Sequence, residues 1–259
     1  MLNNPSLPAG PHDDINPSTD RLPSCQFPYL CKYLDMSSTL TVHHLRRSQS
    51  ERVIWLCEEL GIPYNLKSYD RVPPDMKAPE EYQKIHWSGT APVIEDGSVI
   101  LAESNAIFEY ILTKYSDGRL SLPPTHPHYA DYVFWLHRAN GGTQPALISL
   151  MFSRLGGKEE SLESKYAQTR VNQNFEAMDA QLAKFQYLAG DEFTAADCIS
   201  VFSLTTLRLF GAFSLEKYPN IVKWLQRISQ REGYKRAMAK GDPGLEPVIC
   251  AHAPENTIW

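Results

Sequence analysis

Between His43 and Tyr64 the chain reads HHLRRSQSERVIWLCEELGIPY. Two hydroxyls, Ser48 and Ser50, fall where a short apolar run ending at Leu45 gives way to a strongly helical stretch, with Arg46, Arg47 and Arg52 close by. The start of a helix offers unpaired backbone amides and the positive end of the helix dipole. A hydroxyl placed there can donate to an anion, and so can a guanidinium from the Arg46-Arg47 pair. The plainer role for such a serine is an N-cap, for which Ser50 is the better placed.

Other residues belong to the same discussion. Ala91-Pro92, within GTAPVIEDG, is an X-Pro bond at the start of a strand, and a cis bond there would mark a purposeful turn. Glu103-Ser104 opens a helix whose first amides await an anion. Trp135, His137 and Arg138, with Asn140, lie on a long helix, and each is as readily a packing or surface residue as a pocket wall. No HExxH occurs, and the spacing of the histidines supports no metal site.

These residues need elements to hold them. Thr39–Leu45 reads as a strand, Ser50–Leu60 as a helix with Gly61 as its left-handed cap, and Tyr64–Tyr69 as a second strand. Pro73-Pro74 ends that strand, and Pro79–Ile85 is a short helix. Pro92–Glu95 and Val99–Ala102 form a hairpin about Asp96-Gly97, followed by a helix from Ser104 to Tyr115. The order is β-α-β-α-β-β-α. Beyond the linker Ser116–His128 only helices are expected: Pro127–Leu155, bent near Gly141-Gly142 or Pro145; Leu162–Gln186; one starting at Ala195; and Pro219–Ala239. Thr194 and Asp197 form a capping box at the third of these, with Phe193 and Cys198 at the staple positions. Loss of that cap is expected to cost about 1 kcal/mol.

Composition narrows the classes. The 259 residues are 42% apolar and 21% charged, with a net charge of −5, so a nucleic-acid surface is not expected. No run approaches the roughly 18 apolar residues that span a bilayer, and no membrane association is expected. The five cysteines are scattered, without a CxxC, as in a reducing compartment. Residues 1–37 are rich in Pro, Asn, Ser and Asp and read as a flexible extension rather than a transit peptide.

Four words in order and spacing, SQSERVIWLCEELGIPY, GTAPVIEDG, LAESNAI and LAGDEFTAAD, resemble the cytosolic glutathione S-transferase superfamily, over about residues 39–240. The chain looks most similar to its serine-type bacterial and fungal branches. The resemblance implies α/β plus all-α architecture: a thioredoxin-like glutathione-binding domain at 38–118, an all-helical domain at 125–245, and a tail at 246–259.

The resemblance also implies roles. Counting four residues back from Arg52 puts the catalytic hydroxyl at Ser48, with Ser50 or neither serine as alternatives. The missing cysteine is then explained, because the reactive sulfur arrives with the ligand. Thr90, Ala91, a cis Pro92 and Val93 would hold the cysteinyl part of glutathione, with Val93 presenting its backbone. Glu103 and Ser104 would hold the γ-glutamyl end. Trp135, His137 and Arg138 would wall the second-substrate pocket. The Arg46-Arg47 pair departs from the proline or glycine more usual in this loop.

The expected function is conjugation of glutathione, as co-substrate, to an apolar electrophile, in detoxification or a natural-product pathway. No tightly bound cofactor is expected; a homodimer and a cytoplasmic location are. The alternatives are a non-catalytic regulator or binding module on the same fold, and a glutathione-dependent peroxidase. A cysteine-based thiol oxidoreductase lacks its cysteine at the helix start.

Overall fold

The computed structural model describes residues 39–258; the N-terminal extension expected over 1–37 lies outside the described residues. A four-stranded mixed sheet is built from β1 (Thr41–Leu45), β2 (Asn65–Tyr69), β3 (Val93–Asp96) and β4 (Val99–Ala102), in the order β2-β1-β3-β4. β1 is parallel to β2 and antiparallel to β3, and β3–β4 is the Asp-Gly hairpin, with Gly97 at φ 62°. Its helices are α1 (Glu51–Leu60), the single-turn α2 (Glu80–Gln83) and α3 (Ser104–Tyr115).

Period-two alternation sends neighbouring β1 side chains to opposite faces. His43 points to the α2 side, where Nδ1 lies 2.9 Å from the Tyr69 hydroxyl and Nε2 3.3 Å from Glu95. Leu45 joins Tyr82, Ala91, Val93 and Ala102 on that face. His44 points the other way and is fully buried.

The helical part comprises α4 (Tyr129–Arg138), α5 (Gln144–Leu155), α6 (Leu162–Leu182), α7 (Ala195–Ser200), α8 (Pro219–Ser229) and α9 (Glu232–Gly241). The helix expected over 127–155 is interrupted by a π-helical turn at Ala139–Thr143, at the anticipated glycines. The helix expected over 219–239 is two helices. Arg231 adopts extended backbone between them (φ −67°, ψ 132°), which lets its guanidinium reach both oxygens of Glu59 at 2.8 Å and cover the Phe193 ring.

That break lays α9 along α1. As a result α1 is buried on almost every side, charged residues included. Arg236 and Lys240 of α9 pair with Glu58, and Gly233 leaves room for Glu59, whose carboxylate carbon lies 2.6 Å from where a Cβ would stand.

The capping box at α7 is present, and it is larger than expected. The Thr194 hydroxyl accepts from the Ala196 amide, and the Asp197 carboxylate accepts from the amides of Thr194 and Leu188 and from the Trp224 indole at 2.9–3.1 Å. Asp197 is fully buried, and burial raises its pKa to about 6 against the hydrogen bonds that oppose the shift. It is thus a hub joining α7, α8 and the loop before them, and the single-cap figure of about 1 kcal/mol understates its role.

Candidate functional site

The chain leaves β1 through Arg46 and Arg47, the latter at φ 55°. This uncommon left-handed conformation for a non-glycine residue is held from three directions. The Arg47 amide donates to Asp242 Oδ1 at 2.9 Å, just past α9. The Arg71 guanidinium donates to the carbonyls of Arg46 and Arg47 at 3.0 and 3.1 Å. Arg46 reaches back to the Gly241 carbonyl and to Asp70.

The turn delivers Ser48 and Ser50 to the start of α1, and the two serines differ. Ser48 lines a cavity of about 300 Å³. Ser50 is completely buried behind it. Ser50 occupies the N-cap position but makes no side-chain cap bond; its hydroxyl lies 2.7 Å from Ser48 Oγ and 2.8 Å from His44 Nδ1.

The cavity's polar wall is Ser48, Gln49, Arg71 and Thr90. Its opposite wall is apolar and comes from α5 (Ile148, Met151, Phe152) and from the 3-10 turns after α7 (Phe202, Leu207, Phe210). A neighbouring cavity of about 240 Å³ shares Met151, Leu207 and Phe210 and runs on to Phe213 and Thr257. The Ala91–Pro92 bond is cis. Gln49 donates to the Ala91 carbonyl at 2.7 Å and accepts from Gln144 at 2.8 Å, tying the proline turn to α5 across the cavity floor.

Thr90 and Ala91 reach the cavity. Val93 does not: it is buried in the sheet, paired with His43 and Ala102, so the backbone open to a ligand belongs to the residues before the proline. Glu103 and Ser104 follow Ala102, the register partner of Val93, and therefore sit beside the proline turn. Glu103 is exposed and takes φ 73°, ψ 119°. Ser104 is 1% exposed and its hydroxyl has no hydrogen-bond partner. A buried hydroxyl without a protein partner at a helix start, preceded by backbone in a sparsely populated region, is a place suited to an anion.

The three residues expected to wall the second pocket stand elsewhere. Trp135 is buried against Phe134. His137 faces Asn105 and Glu109 of α3. Arg138 donates to Asn174 and lines a separate cavity with Arg170. The apolar wall comes from the helix one π-turn later. Gln49, Arg71 and Gln144 were not singled out from sequence: a glutamine between two serines and an arginine after a strand carry no local mark of a site. Burial pushes the thiols of Cys57 and Cys198 far up, so neither is a nucleophile near neutrality.

Comparison with known proteins agrees with this architecture. The family models described as glutathione S-transferase N-terminal and C-terminal domains match residues 47–114 and 143–232. Glutathione S-transferase 3 of Schizosaccharomyces pombe is 31% identical, over 78% of this chain and 87% of its own. The chain belongs to the glutathione S-transferase family. Within that family, glutathione S-transferase 1 of Saccharomyces cerevisiae is 28% identical over 78% of this chain and 94% of its own. A glutathione S-transferase structure from Actinobacillus pleuropneumoniae superposes with a TM-score of 0.73 at 32% identity, covering 80% of this chain and 95% of that one. A glutathione transferase of Phanerochaete chrysosporium, crystallised with oxidised glutathione, shares the fold at a TM-score of 0.65 and 21% identity.

Proposed function

We propose that the protein binds glutathione across the proline turn and the start of α3, and that Ser48 donates a hydrogen bond to its sulfur. The thiolate then attacks an apolar electrophile held between α5 and the 3-10 turns. The observation that carries this reading is the cavity itself. It has one polar wall with a hydroxyl at a helix start, and one apolar wall contributed by the other domain. Ser48 favours the thiolate over the thiol, and the walls bring nucleophile and electrophile together. Ser48 rather than Ser50 takes the role because only Ser48 lines the cavity. Glu103 and Ser104 take the γ-glutamyl end, where the unpartnered Ser104 hydroxyl finds its acceptor.

A homodimer belongs to the same reading. Trp87, 92% exposed on the turn before Thr90, offers a second copy a large apolar side chain.

The test is retention on immobilised glutathione together with turnover of a generic aryl halide. Wild-type protein is expected to do both. Ser48→Ala is expected to keep retention and lose about 100-fold in kcat/KM. Retention without any turnover by the wild type would make the protein a binding module, and undiminished turnover in Ser48→Ala would remove that serine from the chemistry.

A further inference from the structure

Behind Ser48 a file of polar groups leads away from the cavity into the interface between the two domains. Ser48 Oγ lies 2.7 Å from Ser50 Oγ, and Ser50 Oγ lies 2.8 Å from His44 Nδ1. His44 Nε2 faces Asp242 Oδ2 at 3.2 Å, an ion-pair distance without hydrogen-bond alignment, and neither atom has a hydrogen-bond partner. All four residues are at most 5% exposed. Asp242 does two things here: its Oδ1 accepts from the Arg47 amide and so holds the loop, which Arg71 also braces, while its Oδ2 faces the histidine; the Ser50–His44 contact is no part of that brace.

We propose that Ser48, Ser50, His44 and Asp242 form a proton relay, through which a thiol bound at Ser48 passes its proton to the His44 imidazole. The proposal rests on the glutathione site argued above and adds the destination of the proton. A carboxylate opposite Nε2 fixes the tautomer with the proton on Nε2, leaving the Nδ1 lone pair to accept from Ser50. In the resting chain Ser50 donates to His44 at 2.8 Å, a shorter contact than that to the Leu45 carbonyl at 3.3 Å, and Ser48 donates to Ser50. When the thiol arrives, its S–H bond breaks and its proton goes to Ser48 Oγ. Ser48 hands its own proton to Ser50, and Ser50 hands its own to Nδ1.

One S–H bond is lost and one N–H bond is gained; no electrons are transferred. Both hydroxyls now point toward the sulfur, so Ser48 donates to the thiolate it has just helped to form. The imidazolium is balanced by Asp242, following the logic of a nucleophile, a base and an orienting carboxylate. When the sulfur's electron pair closes on carbon, the proton returns along the same hydroxyls to the departing group.

The surroundings suit this path. The charged groups around the histidine and its carboxylate are Glu51 in the first turn of α1, and Arg46 and Arg71 from the loops after β1 and β2. Burial raises Glu51 to about 8, and the Thr206 hydroxyl donates to it at 2.6 Å. Near neutrality Glu51 is therefore protonated and adds no negative charge beside the Asp242 carboxylate. Gly241 lets α9 close on this point: a Cβ there would stand 2.9 Å from Ile54 Cδ1 and 3.3 Å from His44 Nε2. A side chain at the last residue of α9 would thus crowd Ile54 and the histidine beside Asp242.

His44, Ser50 and Asp242 touch no substrate and act through Ser48, so the deciding readout is the titration of the bound thiol. Thiolate absorbance of the glutathione complex is followed against pH in wild type, Ser50→Ala, His44→Gln and Asp242→Asn, while S-methylglutathione, which has no thiol proton, is titrated into each by calorimetry. Wild type is expected to ionise the thiol well below its usual value of about 8.5. Each variant is expected to return the midpoint toward that value by about one pH unit, with S-methylglutathione binding unchanged in Ser50→Ala. Should the buried histidine variant fail to fold, the serine and aspartate variants decide. If Ser50→Ala titrates as wild type does while S-methylglutathione binds, the relay is overturned and the glutathione site stands. If wild type does not bind S-methylglutathione at all, the site itself is wrong and the relay falls with it.

Discussion

Asp197 and Asp242 are both buried aspartates in the helical half of the molecule, and their surroundings have little in common. Asp197 accepts from two backbone amides and an indole, and its neighbours are core residues. Asp242 accepts from one amide, faces a histidine at a poorly aligned 3.2 Å, and keeps an oxygen with no hydrogen-bond partner. Nearby, Glu51 and Arg52 each carry a buried polar atom with no hydrogen-bond partner. A polar group buried for stability is satisfied, because an unmade hydrogen bond inside a protein is costly. Partly satisfied groups concentrated at one place mark a region shaped for something other than stability.

The contrast is broken most forcefully at Asp197. Asp197→Ala leaves two amides and an indole unpaired, and a loss of about 3 kcal/mol is expected. At 2–4 °C per kcal/mol for a body of this size, the thermal midpoint falls by about 10 °C. A midpoint within 2 °C of wild type would show that the hub is dispensable. Ser104→Ala probes the opposite kind of residue. Its hydroxyl has no partner to lose, so the melting curve should hold, while glutathione binding measured by calorimetry weakens about 10-fold, as for one lost hydrogen bond to an anion. A third change tests the pH dependence of the domain interface. Glu51 has its folded-state pKa raised from 4.5 to about 8, chiefly by burial. Its contribution to stability is present below the unfolded value and is lost as pH rises through the folded one. Glu51→Gln mimics the protonated acid, so its stability relative to wild type should climb between about pH 4.5 and 8 and then level off in parallel denaturant titrations. A difference independent of pH would place the proton elsewhere.

How much of this was legible in the sequence follows from the range of the interactions. The β3–β4 hairpin and α3 were readable because their signals are local: an Asp-Gly turn and a serine at a helix start. The split between α8 and α9 was not, because Arg231, where the backbone turns extended, is neither proline nor glycine. The partner it meets there, Glu59, is 172 positions away. The same holds in the site. Ser48, Ala91 and Ser104 sit in recognisable words. Arg71, Gln144 and Asp242 acquire their places only when distant segments meet, and no local signal says which side of the π-turn faces Ser48.

Arg208 is fully buried, and its guanidinium gathers the carbonyls of Phe213, Val248, Cys250, Ala251 and His252. That gathering point folds the final segment back on the helical domain, so that Ile258 bonds to Leu209 and Thr257 stands on the rim of the apolar hollow. On the proposed reading of that hollow, a fluorescent label attached at Thr257 would narrow the space left to an apolar reactant.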